Sequence, residues 1–127
     1  MARILLVEDD PDVRPLLEHI LLRNDFQVTT IESVAGAISL LSSQPYDLVV
    51  TDVNLPDGSG LRVADRAAAT GVKALVITGQ GLSLAPGSLA GYDYLLKPLR
   101  VDVLLAAIAR CLASAEAAQV VRFPKAE

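Results

Sequence analysis

One stretch limits what this chain can fold into more than any other: Leu48-Val49-Val50-Thr51-Asp52-Val53-Asn54-Leu55-Pro56-Asp57-Gly58-Ser59-Gly60. Apolar and β-branched residues run unbroken into an aspartate, and Pro and Gly then break the chain into a loop. A run that is apolar on both faces marks a strand buried inside a parallel sheet. Such a strand delivers Asp52 to its carboxyl end, the edge where open α/β sheets bind ligands. A carboxylate at a strand tip serves equally well as the cap of the next helix, and this stretch alone does not choose between the two uses.

The rest of the chain supplies the context. With 127 residues, 52% of them hydrophobic and 20% charged, it fits one soluble globular domain with a core covered on several sides. The formal net charge of -4 and a pI near 4.9 argue against nucleic acid or an anionic membrane as a partner held by bulk electrostatics, because both require a basic face. A single Cys, Cys111, cannot form an internal disulfide and fits a reducing cytoplasm. The opening run Arg3-Ile4-Leu5-Leu6-Val7 is too short for a signal peptide or a membrane span, and it meets Glu8-Asp9-Asp10 at once.

Taken in order, Ile4 to Val7 reads as a buried strand with acids at its carboxyl end. Asp10-Pro11 opens a helix, with Asp as N-cap and Pro at the first helical position. Val13, Leu16, Leu17, Ile20 and Leu21 recur on one face of that helix, and Pro15 is expected to remove one backbone bond just past its first turn. His19 reads as a solvated surface residue. Phe26 to Ile31 is a second strand, and Ser33 caps a helix carrying Val34, Ala37, Ile38 and Leu41. The central strand spans Asp47 to Asp52. A loop through Gly60 and a helix from Leu61 to Ala69 follow it, then an apolar strand from Ala74 to Thr78. Tyr92 to Leu96 is a fifth strand ended by Lys97-Pro98, and a closing helix from Val101 to Ala115 places Leu104, Leu105, Ile108, Cys111 and Leu112 on one face, where Cys111 is a small core residue. Strands alternating with helices imply an α/β fold, a doubly wound five-stranded parallel sheet with right-handed crossovers and helices on both faces.

In a parallel sheet all the carboxyl ends lie on one edge, so Glu8, Asp9, Asp52, Thr78 and Lys97 gather there although they are remote in sequence. Three carboxylates in one pocket repel. A like-charged pair at about 4 Å costs on the order of 4 kcal/mol at an effective dielectric near 20. The pocket therefore wants a cation, and an all-oxygen donor set with few protein ligands suits Mg2+ better than a full Ca2+ cage or zinc. A carboxylate beside such an ion can attack phosphorus to give an aspartyl phosphate. Lys97 then supplies an ammonium to the phosphoryl oxygens, and the Thr78 hydroxyl can hydrogen-bond one of them.

These residues resemble, over Ile4 to about Leu112, the receiver domains of two-component response regulators. Val7-Glu8-Asp9-Asp10 looks like the acidic pair after strand one and Asp52 like the phosphoacceptor. Thr78 is similar to the switch hydroxyl, Tyr94 to the aromatic rotamer switch, and Lys97-Pro98 to the lysine followed by a cis proline. The resemblance implies a flavodoxin-like strand order 2-1-3-4-5, a receiver domain over residues 1–115 and a tail over 116–127. It also implies direct Mg2+ ligation by Asp9 and Asp52, ligation through water by Glu8, and a backbone carbonyl from Asn54, whereas Asp10 is read as the helix cap. Tyr92 is expected to face the same side of its strand as Tyr94, so the choice of Tyr94 rests on the resemblance. Gly58 and Gly60 are read as turn residues, since no Walker lysine accompanies them.

The implied function is that of a stand-alone receiver. It would take a phosphoryl group from a sensor histidine kinase or a histidine phosphotransfer protein onto Asp52 and switch a face that a downstream protein target reads. A chain cut from a longer protein fits the same residues, and the tail looks like a fraying helix end. An aspartate-nucleophile phosphohydrolase is the rival enzyme reading, but the position two residues after the nucleophile is Asn54, which cannot donate a proton as a general acid. The chain departs from the family in two ways. Gly79 stands where a small residue such as alanine is usual, and the spacings from Asp52 to Thr78 and from Thr78 to Lys97 are short. The segment Gly79 to Gly91, where a fourth helix belongs, contains four Gly and one Pro in thirteen positions. Interior Gly costs about 1 kcal/mol and Pro about 3 relative to Ala, which predicts a short or irregular helix there.

Overall fold

The computed structural model describes residues 2–79, 89 and 91–126, with side chains as far as Ala113. Five parallel strands form the main sheet: β1 (Arg3–Val7), β2 (Gln27–Ile31), β3 (Leu48–Asp52), β6 (Lys73–Thr78) and β7 (Asp93–Leu96), in the order β2-β1-β3-β6-β7. Counted within this sheet alone, that order is 2-1-3-4-5. A short antiparallel hairpin, β4 (Asn54–Leu55) with β5 (Gly58–Ser59), lies between β3 and the helix that follows it, where the sequence suggests only a loop.

The apolar runs form strands because both faces of the sheet are covered. Ile4 and Leu6 pair in register with Leu48 and Val50. Together with Leu75 and Ile77 they pack under α1 (Val13–Arg23) and the closing helix α4 (Val101–Ala126), through Leu17, Leu21, Leu104, Ala107, Ile108 and Cys111. The alternate residues Leu5, Val7 and Val49 face α2 (Val34–Ser43) and α3 (Gly60–Ala69) through Val34, Ala37, Leu41, Val63 and Ala67. Each fully buried Leu or Ile contributes about 1.5–3 kcal/mol, so a two-sided core of this composition accounts for the sheet's hold on its helices. Cys111 is a buried core residue, as its helical position suggests.

The chain order reverses at β1, with β2 on one side and β3 on the other. The carboxyl ends of β1 and β3 therefore lie side by side, Val7 opposite Thr51, at the switch point where such folds bind ligands. The Asp10 carboxylate accepts the backbone N–H groups of Asp12 at 2.8 Å and Val13 at 3.3 Å, so it caps α1 as expected. Pro15 is the third residue of α1. One residue earlier the Arg14 N–H already donates to the Asp10 carbonyl at 2.9 Å, so the next bond of that ladder, to the Pro11 carbonyl, is the one Pro15 removes, as the sequence suggests. Strand limits differ by a residue from the sequence reading, and Tyr92 precedes β7. The closing helix runs on to Ala126 instead of ending near Ala115, as the helix-forming run Ala113-Ser114-Ala115-Glu116-Ala117-Ala118-Gln119 permits. The expected short or irregular fourth helix falls on a segment almost wholly outside the described residues.

The hairpin is tied to α2 by a contact the sequence does not announce. Both oxygens of Asp57 accept backbone N–H groups at the start of α2, Oδ1 from Val34 at 2.7 Å and Oδ2 from Ala35 at 3.0 Å, while Ser33 Oγ accepts from Gly36. The Ala35 and Val34 N–H groups hold the Asp57 carboxyl below the ordinary aspartate range. A carboxylate whose folded-state pKa is depressed adds stability above its unfolded pKa and loses it as the pH falls through its folded pKa. Asp57→Asn should therefore lower the melting temperature at pH 7, and the gap to wild type should close on acidification below about pH 4. An offset that stays constant from pH 7 to pH 3 in parallel melting curves would show that the charge at Asp57 is not what caps α2.

Candidate functional site

At the carboxyl edge of the sheet a cleft of about 580 Å³ is lined by Glu8, Asp9, Asp10, Pro11, Asp52, Asn54, Gly79 and Lys97. Glu8 follows β1, Asp52 ends β3, and Lys97 follows β7, so three strand ends supply the charged groups. Carboxylate oxygens of Glu8, Asp9 and Asp52 lie within 4.8 Å of one another. Glu8 is 2% exposed and Asp52 7%, whereas Asp9 is open to solvent.

Lys97 Nζ lies 3.0 Å from Asp52 Oδ2 and 3.5 Å from Glu8 Oε1. Asp52 Oδ1 also accepts the Asn54 backbone N–H at 3.2 Å. Burial pushes the Glu8 carboxyl above its ordinary range and the neighbouring Asp52 charge pushes it further, against opposing effects from the Asp10 N–H and Lys97. For Lys97, burial works to lower the pKa but is outweighed by the hydrogen bond and charge of Asp52 and by Glu8, leaving the ammonium above its usual value. One ammonium thus faces three carboxylates. The donors are hard oxygens, and the negative excess among them is what a divalent cation with a small protein ligand set requires, so these residues fit Mg2+.

Thr78 ends β6 and is fully buried. Its carbonyl accepts the Lys97 N–H at 2.9 Å, which fixes the lysine's backbone to the neighbouring strand end. Among the described residues lining the cleft, that strand end is represented by Gly79, whose position lies against the Lys97 stem. Tyr94 sits on β7, paired in register with Val76 and 46% exposed, outside the acidic cleft. Tyr92 is held elsewhere: its hydroxyl donates to Asp65 on α3 at 2.6 Å, so the two tyrosines are unequal despite their spacing. The peptide between Lys97 and Pro98 is cis.

Three residues escape a reading of the sequence. Gly60, taken for a turn glycine, packs its Cα against the backbone of β3. A Cβ there would fall well inside contact with the Asp52 carbonyl oxygen and 2.8 Å from Thr51 Oγ1, while its N–H donates to the Val53 carbonyl at 2.7 Å. Thr51, fully buried, donates its hydroxyl to the same Asp52 carbonyl at 2.9 Å. Arg14, on α1, reaches back to the Glu8 carbonyl. None of the three contacts is marked by a local sequence pattern.

Residues 4–109 match the family model of the response regulator receiver domain. The chain is 36% identical over 108 residues to the two-component response regulator ORR24 of Oryza sativa, matching 80% of this chain but 17% of that protein. It is 35% identical over 120 residues to the response regulator receiver protein CpdR of Brucella abortus, matching 91% of this chain and 100% of CpdR. The crystal structure of the response regulator TrrA from Thermotoga maritima in complex with Mg2+–BeF superposes with a TM-score of 0.80 at 30% identity, covering 88% of this chain and 100% of that one. The chain spans about a sixth of the rice regulator's length.

Proposed function

The chain belongs to the response regulator receiver domains, a phosphoacceptor family of signalling proteins, and from that premise we propose that Asp52 accepts a phosphoryl group from a phosphohistidine with Mg2+ held by Glu8, Asp9 and Asp52. The observation that carries the reading is the Lys97 ammonium 3.0 Å from Asp52 Oδ2 in a cleft with two further carboxylates. An Asp52 oxygen forms a bond to phosphorus as the bond from phosphorus to the imidazole nitrogen of the donor breaks, and the donor leaves as histidine. Lys97, already at the acceptor oxygen, follows the negative charge onto the phosphoryl oxygens. Asp9 and Asp52 act as direct ligands of the ion, Glu8 through water, and Asn54 by its backbone carbonyl. When bound, Mg2+ supplies a second positive charge to those oxygens.

Thr78 is the hydroxyl that reports the phosphoryl group, and Tyr94, half exposed and unlike Tyr92 not tied to α3, is the ring that changes rotamer with it. A sensor histidine kinase or phosphotransfer protein is the donor, and a downstream protein reads the altered face. The net charge of -4 argues against nucleic acid or an anionic membrane as a direct partner. The lone buried thiol of Cys111 suits the cytoplasm as the site of action.

Saturating the cleft should stabilise the fold by RT ln(1 + [L]/Kd), about 2.7 kcal/mol at a hundredfold excess of Mg2+ over Kd. Asp9→Asn should abolish most of the Mg2+-dependent melting shift. Because Asp9 is exposed and its neutralisation relieves repulsion among the three acids, the same substitution should leave the metal-free melting temperature unchanged or somewhat raised. Label transfer from a phosphohistidine protein should stop when Mg2+ is chelated. An unaltered melting shift in Asp9→Asn, or transfer that proceeds in chelator, would overturn the proposal.

A further inference from the structure

We propose that Arg14 is a positioning residue for the metal-binding acids, holding the peptide between Glu8 and Asp9 so that both carboxylates point into the cleft. The inference rests on the reading of Glu8, Asp9 and Asp52 as the Mg2+ site. Glu8 is the first residue beyond β1. Its N–H still donates to the Ile31 carbonyl at 3.0 Å, but its own carbonyl is held by a side chain, with Arg14 Nη1 donating to it at 3.2 Å. The same nitrogen donates to Glu32 Oε2 at 3.2 Å, so Arg14 joins the end of β1 to the residue that follows β2.

The carbonyl that Arg14 grips belongs to the planar peptide whose flanking α-carbons carry the Glu8 and Asp9 side chains. Turning that plane swings both carboxylates at once. A planar guanidinium with fixed N–H directions suits such a clamp better than a flexible ammonium does. Arg14 is itself fixed, since its backbone N–H donates to the Asp10 carbonyl at 2.9 Å and its side chain is 26% exposed. Asp10, which caps α1, thereby places the arginine that orients its two acidic neighbours.

A charge effect of Arg14 would act in the opposite sense, since a guanidinium whose field reached the three carboxylates would compete with a cation. The direction of the change therefore separates the two roles. If Arg14 acts by position, its removal weakens Mg2+ binding. If it acts by charge, its removal tightens it. The test is titration of the full chain with MgCl2 by calorimetry, for wild type, Arg14→Ala and Arg14→Met. The methionine keeps an apolar stem in place should the alanine variant fold poorly. In both variants Kd should rise by about tenfold, the lower end of what losing a group that orients a metal ligand costs. The amide resonances of Asp9 and Asp10 should already shift in the metal-free spectra, and phosphorylation by a small donor should recover at saturating Mg2+. Unchanged or tighter Mg2+ binding in a folded Arg14 variant overturns the inference alone. A wild-type chain that binds no Mg2+ overturns the metal site, and the inference with it.

Discussion

Gly60→Ala is expected to destabilise the protein by about 3 kcal/mol or more, at or above the usual range for inserting a methyl group into a packed interior. The added Cβ would meet the Asp52 carbonyl oxygen, a backbone atom that cannot rotate aside, and Thr51 Oγ1 lies 2.8 Å away. To make room, α3 must move off β3, which breaks the bond from the Gly60 N–H to the Val53 carbonyl and disturbs the packing of Val63 and Ala67. Native domains are stable by only about 5–15 kcal/mol, so the loss should appear as a fall of about 10 °C or more in melting temperature, with weaker Mg2+ binding because the displaced strand end carries Asp52. Gly79→Ala is the internal control. A Cβ there meets the Lys97 stem at 3.4–3.9 Å, ordinary contact, and the substitution should be tolerated or slightly stabilising. Equal melting temperatures for Gly60→Ala and wild type in a thermal scan would show that α3 does not depend on this close approach.

The difference between these two glycines shows what a sequence of this kind discloses. The central strand was legible because burial on both faces leaves an unbroken apolar run, and the fold class followed from the alternation of such runs with helical spacing. The cleft was legible too, because a parallel sheet sends every carboxyl end to one edge. Glu8, Asp52 and Lys97 meet there as their strand ends require, with Asp9 completing the set of three acids. Asp10 identified itself as a cap through the proline that follows it. Contacts made across the fold left no such mark. Nothing local separates Gly60, pressed against β3, from the turn glycine Gly58, whose φ is 149°. Asp57 caps a helix that begins 23 residues before it, and Arg14 holds a carbonyl through its side chain alone, so neither falls in a recognisable pattern. The extension of α4 to Ala126 was missed for another reason: helix propensity in an alanine-rich tail is a weak signal until it continues an existing helix.

The other large effect expected is complete loss of phosphoryl acceptance in Asp52→Asn. The asparagine keeps the size of the side chain and can still accept the Asn54 N–H, so the fold and the hairpin should persist. It removes the anionic oxygen that Lys97 contacts at 3.0 Å, and with it the nucleophile. Glu8 is an unsuitable substitute, since it stays buried in the variant and burial opposes its ionisation, and Asp9 lies open to solvent. The direct measurement is to expose wild type and Asp52→Asn to a small acyl-phosphate donor with Mg2+ and to map the added mass by fragmentation. One phosphoryl group on the wild-type peptide that carries Asp52, and none on the variant, is the predicted result; equal labelling of the two proteins would contradict the assignment of Asp52 as the phosphoacceptor.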